Sequence, residues 1–125
     1  MERQELLKEI KPVWVEGRGV YIPIIGKVLG KEELAPDGMT WKEALAAAKR
    51  AKGTIPTKDE WYIILYFRDE INALMKEHGA RELCGYYWSS SEGSETYAWG
   101  VNFTAGYVYG NFKYFTCCVR AVSAF

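Results

Sequence analysis

The chain has 125 residues, 49% of them hydrophobic, and its sixteen basic and sixteen acidic side chains cancel. That is one domain's worth of protein with material for a buried core, and the lack of a basic surplus argues against a nucleic-acid partner. No apolar run reaches the ~18 residues of a membrane span. Met1-Glu2-Arg3-Gln4-Glu5 lacks the apolar stretch of a secretory signal, and three cysteines with one histidine fit neither a complete disulfide framework nor a common zinc site.

Residues 13–25, VWVEGRGVYIPII, alternate β-branched or aromatic side chains with polar ones and read as one or two extended segments. Gly17 and Gly19 mark a turn or bulge there. Residues 26–38 read as a loop ending in the turn signal Pro36-Asp37-Gly38. Thr40-Trp41-Lys42-Glu43 is a capping box, in which hydroxyl and carboxylate each accept the other residue's amide. Trp41, Ala44, Leu45 and Ala48 follow at helical spacing, with Gly53 as the stop. A second capping box, Thr57-Lys58-Asp59-Glu60, begins a helix running from Trp61 to Lys76. Trp61, Ile64, Leu65, Phe67, Ile71, Leu74 and Met75 suit one broad face of it. Gly79 ends it, and His78 reads as a helix-terminal cation rather than a catalytic base.

Cys84 reads as a small buried apolar residue. Tyr86-Tyr87-Trp88 leads into a serine-rich turn, Ser89-Ser90-Ser91, which lacks a nucleophile elbow and reads as turn or sheet framework. Glu92 beside it is a candidate acceptor for backbone amides. Trp99, Val101 and Phe103 alternate and, with Trp88, read as core. After Gly106 and Val108, the segment Val119-Arg120-Ala121-Val122 reads as a short strand. Short strands separated by glycine predict antiparallel hairpins. The sum is an α+β domain over 1–125, two helices plus a small, mostly antiparallel sheet. Glu32-Glu33 and Lys49-Arg50 read as solvated charges.

Composition shifts along the chain. Residues 83–125 hold only four of the 32 charged side chains but 12 of the 19 aromatic ones. The first part reads as scaffold and the second as something else.

Thr54-Ile55-Pro56-Thr57-Lys58-Asp59-Glu60-Trp61, Tyr87-Trp88-Ser89-Ser90-Ser91-Glu92, Ala98-Trp99-Gly100-Val101-Asn102-Phe103 and Val119-Arg120-Ala121-Val122 occur in that order. The ordered set resembles the C-type lectin-like domains of bacterial, archaeal and phage proteins, over roughly residues 40–125. Within these it is most similar to the variable proteins of diversity-generating retroelements. The resemblance implies two helices, a small irregular sheet and adjacent N- and C-terminal strands. It also implies that template adenines are mutated, so that Asn codons AAC or AAT yield many residue types but never Lys, Glu, Gln, Trp or Met.

With the framework residues set aside, the candidates for a variable region at about 93–118 are Gly93, Thr96, Tyr97, Gly100, Thr104, Ala105, Tyr107, Tyr109, Gly110, Asn111, Phe112, Tyr114, Phe115, Thr116, Cys117 and Cys118. Every one is reachable from such a codon. The five unreachable types make up about a quarter of the chain, so their absence from the set is mildly unexpected by chance. Glu95 and Lys113 are unreachable and would be framework. The set also has the composition of a paratope, with tyrosine for amphipathic contact and small polar residues for adaptation. The expectation is a ligand-binding protein whose variable side chains point outward, with no cofactor and no catalytic residue. The partner would be a protein or other cell-surface ligand, and the protein a monomer on a virion or cell surface.

Two other readings stay open. The resemblance extends to formylglycine-generating enzymes, which would make Cys117 or Cys118 reactive, although the chain lacks their longer cysteine pattern and has no nearby base. An undiversified lectin-like module is the other. The Glu-Pro-Asn or Gln-Pro-Asp and Trp-Asn-Asp motifs of calcium-dependent sugar binding are absent, so no calcium site of that kind is expected. A bridge from Cys84 to Cys117 or Cys118 is left open.

Overall fold

Strand β1 (Val13–Val15) turns through Gly17 into β2 (Gly19–Ile22), as the alternation of residues 13–25 predicts. Lys27–Gly30, expected as loop, is a third strand, β3. Ile22 to Gly26 form a tight turn, in which the Gly26 amide donates to Ile22 O at 2.9 Å, and Val28 and Leu29 are buried. The strand is only four residues long, too short for alternation to reveal. The computed structural model describes residues 10–125; the segment Met1 to Glu5, read above for a signal sequence, lies outside them.

Both capping boxes form. Thr40 caps α1 (Trp41–Arg50), and Thr57 caps α2 (Lys58–Tyr66). The stop after α1 differs from expectation: Lys52, not Gly53, takes the left-handed conformation, at φ 62°. Gly53 serves a close approach instead, since a Cβ there would lie 2.6 Å from Val122 O. The single helix expected from Trp61 to Lys76 is two. Phe67, at φ −101° and ψ 19°, separates α2 from α3 (Arg68–Glu77). The break turns Phe67 into the core beside Ile64 and Ile71, and Asp69 and Glu70 favour the new N-terminus. Gly79, at φ 71°, ends α3. His78 caps it and stacks on Trp14 at 4.3 Å between ring centroids.

Of its two readings, turn or sheet framework, the serine run is sheet framework. It lies inside β4 (Tyr86–Glu92), whose register shifts between Trp88 and Glu92. Ser89 Oγ donates to Trp99 O at 2.6 Å, and Ser91 Oγ accepts the Lys58 amide at 2.9 Å, so these hydroxyls tie the strand to β5 (Tyr97–Asn102) and to the start of α2. Then follow β6 (Tyr107–Phe112) and β7 (Val122–Ala124). The expected strand over residues 119–122 begins only at Val122. Val119 and Ala121 give their carbonyls to the end of β3 and the loop after it, with Val119 O accepting from Leu34 and Ala121 O from Gly30.

The fold is α+β, with three helices among the described residues and two small antiparallel sheets. One sheet runs β1-β2-β3-β7 and the other β4-β5-β6. The C-terminal strand therefore joins the N-terminal sheet beside β3 rather than β1. One core cluster gathers Trp61, Ile64, Ile71, Tyr87, Val101 and Phe103. A second gathers Ala44, Ile55, Trp88, Ala98, Cys117 and Val119. Trp88 is fully buried, as expected, whereas Trp99 is only half-buried, under the Lys58 ammonium at 4.6 Å from its ring.

Glu33 overturns the reading of Glu32-Glu33 as solvated charges. Its side chain is 4% exposed, that of Arg120 is 0%, and Arg120 Nε lies 3.6 Å from Glu33 Oε1. The other carboxylate oxygen accepts the amides of Val119 at 2.8 Å and Ala35 at 3.0 Å. Arg120 donates to Gly30 O and Arg81 O. The pair fastens the irregular segment before β7 to the first sheet. A buried charge is tolerated because each partner keeps additional hydrogen bonds.

Candidate functional site

The β5–β6 hairpin pairs Asn102 with Tyr107 and Tyr97 with Phe112. On the α2 side, Val101 is buried and Val108 packs against the same core. On the opposite side Tyr109 meets Tyr86 at 5.7 Å and Tyr107 at 6.1 Å between ring centroids. After β6 the chain turns at residues 113–116 and re-enters the core at Cys117, which pairs with Met39. Phe112 ends β6, Tyr114 and Phe115 sit on this turn, and the three pack on one another at 4.9 to 5.6 Å between ring centroids.

The outermost aromatics are substantially open: Tyr107 50%, Phe112 49%, Tyr114 68% and Phe115 47%. Tyr109, Asn111, Tyr114, Phe115 and Thr116 line one shallow groove, with Tyr86 opposite and Cys117 at its base. Thr96, Phe112 and Tyr114 border a second hollow with Thr40, Glu95 and Lys113. Gly93 and Thr96 are exposed in the β4–β5 turn, and Tyr97 is half-buried against Trp99. Gly110 is exposed on β6. Thr104 and Ala105 are exposed at the β5–β6 turn, but Thr104 faces a different concavity with Arg68 and Cys84.

Three candidates do not point outward. Gly100 is buried, and a Cβ there would meet Tyr87 O at 3.0 Å and the Tyr109 ring at 3.6 Å. Cys117 is 3% exposed, and Cys118 is half-buried beside the Glu33 end of the core. Both sit on backbone bridges, to Met39 and Tyr87, which fix their side chains toward the interior. Conversely, Tyr86, which is not among the sequence-based candidates, is 50% exposed and joins the groove. Its signal was its place next to buried Tyr87, since neighbours on a strand face opposite ways.

The groove residues carry no charge at neutral pH. Burial pushes the Tyr109 hydroxyl well up, and nearby Cys117 adds to it. Burial likewise raises the Cys117 thiol, against hydrogen bonds from Tyr109 and Asn111 that lower it. Asn111 Nδ2 donates to Cys117 Sγ at 3.5 Å. Cys118 is also raised by burial, with the Glu33 carboxylate adding to it. Both thiols are therefore held protonated, the opposite of what activates a nucleophilic cysteine. Cys84, expected to be buried, is exposed, because Gly85 turns the chain there at φ 78°. All three cysteines are free. Glu92, a candidate acceptor of backbone amides, instead pairs with Lys113. No group of three or more His, Cys, Asp or Glu able to hold a metal occurs among the described residues.

The family model of the Lcl C-terminal domain matches residues 13–123. The chain belongs to this family. Lcl C-terminal domains are lectin-like and of binding type, which accords with a site of aromatic rings and amides. Among curated proteins, none matches the chain. No helix among the described residues is long and apolar enough to cross a membrane.

Proposed function

We propose that this Lcl C-terminal domain acts as one ligand-binding unit. Its surface at residues 93–118 would be diversified by retroelement-driven adenine mutagenesis. The observation that carries the reading is the open aromatic surface of Tyr107, Phe112, Tyr114 and Phe115, 47–68% exposed, made of residue types reachable from Asn codons. Around it stand residues of unreachable type. Trp88 is fully buried, and Lys113 and Glu92 pair with each other.

Recognition works by shape and aromatic contact, without a chemical step. Tyrosine and phenylalanine offer large contact area at low entropy cost, and Asn111 and Thr116 supply polar adaptation. The partner is a protein or other cell-surface ligand, met by a monomer displayed on a virion or cell. Because the groove is uncharged, affinity depends little on salt. Contact falls to the outward candidates and to Tyr86, while Gly100 and Cys117 support them from below.

Sequencing the 3′ end of the gene across the source population tests the reading. Substitutions confined to the outward candidate codons, with Trp99, Phe103 and Val119 constant, are expected. One invariant sequence would overturn diversification and leave an undiversified lectin-like module.

A further inference from the structure

Lys113 lies between two of the proposed contact residues, Phe112 and Tyr114, yet its own side chain is only 19% exposed. Its ammonium sits 4.7 Å from the centroid of the Trp41 ring and bonds the Glu92 carboxylate. Its amide donates to Thr96 O at 3.0 Å, and its carbonyl accepts the Trp41 amide at 3.1 Å. One residue thus joins the first turn of α1, the end of β4 and the β4–β5 turn. The flanking rings have no comparable hold. Phe112, Tyr114 and Phe115 pack on each other, and the Phe115 amide returns to Phe112 O at 3.0 Å. The next attachment of the chain is the Met39–Cys117 bridge.

We propose that Lys113 is the positioning residue of the contact surface, holding Phe112, Tyr114 and Phe115 in one arrangement before a partner arrives. The inference rests on the binding reading above and deepens it. Ordering a loop in advance removes that cost from the binding step. The exposed ion pair alone would do little, because Glu92 is 55% exposed and such pairs are screened. The hold comes from the ammonium on the indole face, which is partly shielded from water, together with the two backbone bonds.

The test compares the full chain with K113M and K113R by backbone NMR relaxation and amide exchange, with thermal unfolding as the control. K113M is expected to unfold near the wild-type temperature. Its order parameters at residues 112–116 should fall from about 0.85 to below about 0.6, with amide exchange of residues 113 and 115 at least ~10-fold faster. K113R keeps the charge and the stacking and should restore most of that order. Unchanged order in K113M, or K113R as loose as K113M, overturns the proposal. If K113M does not fold, E92Q removes the carboxylate partner and W41L the ring face under the ammonium. Partial loosening confined to 112–116 supports the role, and wild-type order in both overturns it. No ligand is used, so failure here leaves the binding reading standing, whereas an invariant 3′ sequence would leave this measurement untouched.

Discussion

Two sets of aromatic residues in this chain meet opposite fates. Trp61, Tyr87, Trp88 and Phe103 are at most 2% exposed, while Tyr107, Phe112, Tyr114 and Phe115 keep 47–68% of their surface open. The buried indoles are polar-matched: Trp61 Nε1 donates to Trp88 O at 3.1 Å and Trp88 Nε1 to Met39 O at 2.8 Å. Of the exposed rings, Phe112, Tyr114 and Phe115 pack on each other, and Tyr107 packs on Tyr109. Aromatic content therefore says nothing of role until attachment is known. Rings enclosed by the core carry the fold, and rings that pack on one another at the surface stay open to solvent.

Disturbing the first set should do the most damage. W88A leaves a large void and removes the indole bond to the Met39 carbonyl, which keeps the Cys117 amide as its other donor, and is expected to cost about 3–5 kcal/mol in denaturant unfolding. R120M strands the Glu33 carboxylate in the interior, at a similar cost of about 3–5 kcal/mol. A loss under about 1 kcal/mol in either variant would mean that the framework does not carry the stability assigned to it. T57A removes the hydroxyl that accepts the Glu60 amide and should cost about 1 kcal/mol.

Smaller effects sharpen the contrast chemically. A thiol reagent at neutral pH should label Cys84 fastest, Cys118 more slowly and Cys117 slowest, following exposed, half-buried and buried positions. Fast labelling of Cys117 in the folded chain would contradict its place under the groove. Because burial raises both Cys117 and Cys118, their contribution to stability is intact below the ordinary thiol value of 9.0 and is lost as pH rises past it. At the acid end, hydrogen bonds from Thr40 hold the Glu43 carboxyl below its ordinary 4.5. Its contribution is present above that value and fades as pH falls, a small slope that E43Q should remove.

Local signals in the sequence were legible because their physics is local. Thr40 with Glu43 and Thr57 with Glu60 act within one turn, and both boxes form. The break at Phe67 was not legible, since no proline or glycine marks it and only the core on which the ring packs requires it. Nor was the Glu33–Arg120 pair, which joins distant parts of the chain, with Glu33 also taking the Val119 amide from 86 residues away. At the candidate site, the composition of residues 107–116 pointed to a surface. It did not distinguish Tyr86 from Tyr87 or place Cys117 inside, because the facing of each residue is set by the bridges Tyr87–Cys118 and Met39–Cys117.

The most direct test of this division is thermal and denaturant unfolding of the combined variant Tyr107→Ala, Phe112→Ala and Tyr114→Ala. Those rings are open to solvent; Phe112 and Tyr114 stack on each other and Tyr107 packs on Tyr109. The account predicts a cooperative transition within about 1 kcal/mol of wild type, as for surface substitutions. A loss of about 3 kcal/mol or more, the scale of a core truncation, would make these aromatics part of the fold and contradict the claim that they are kept for a partner.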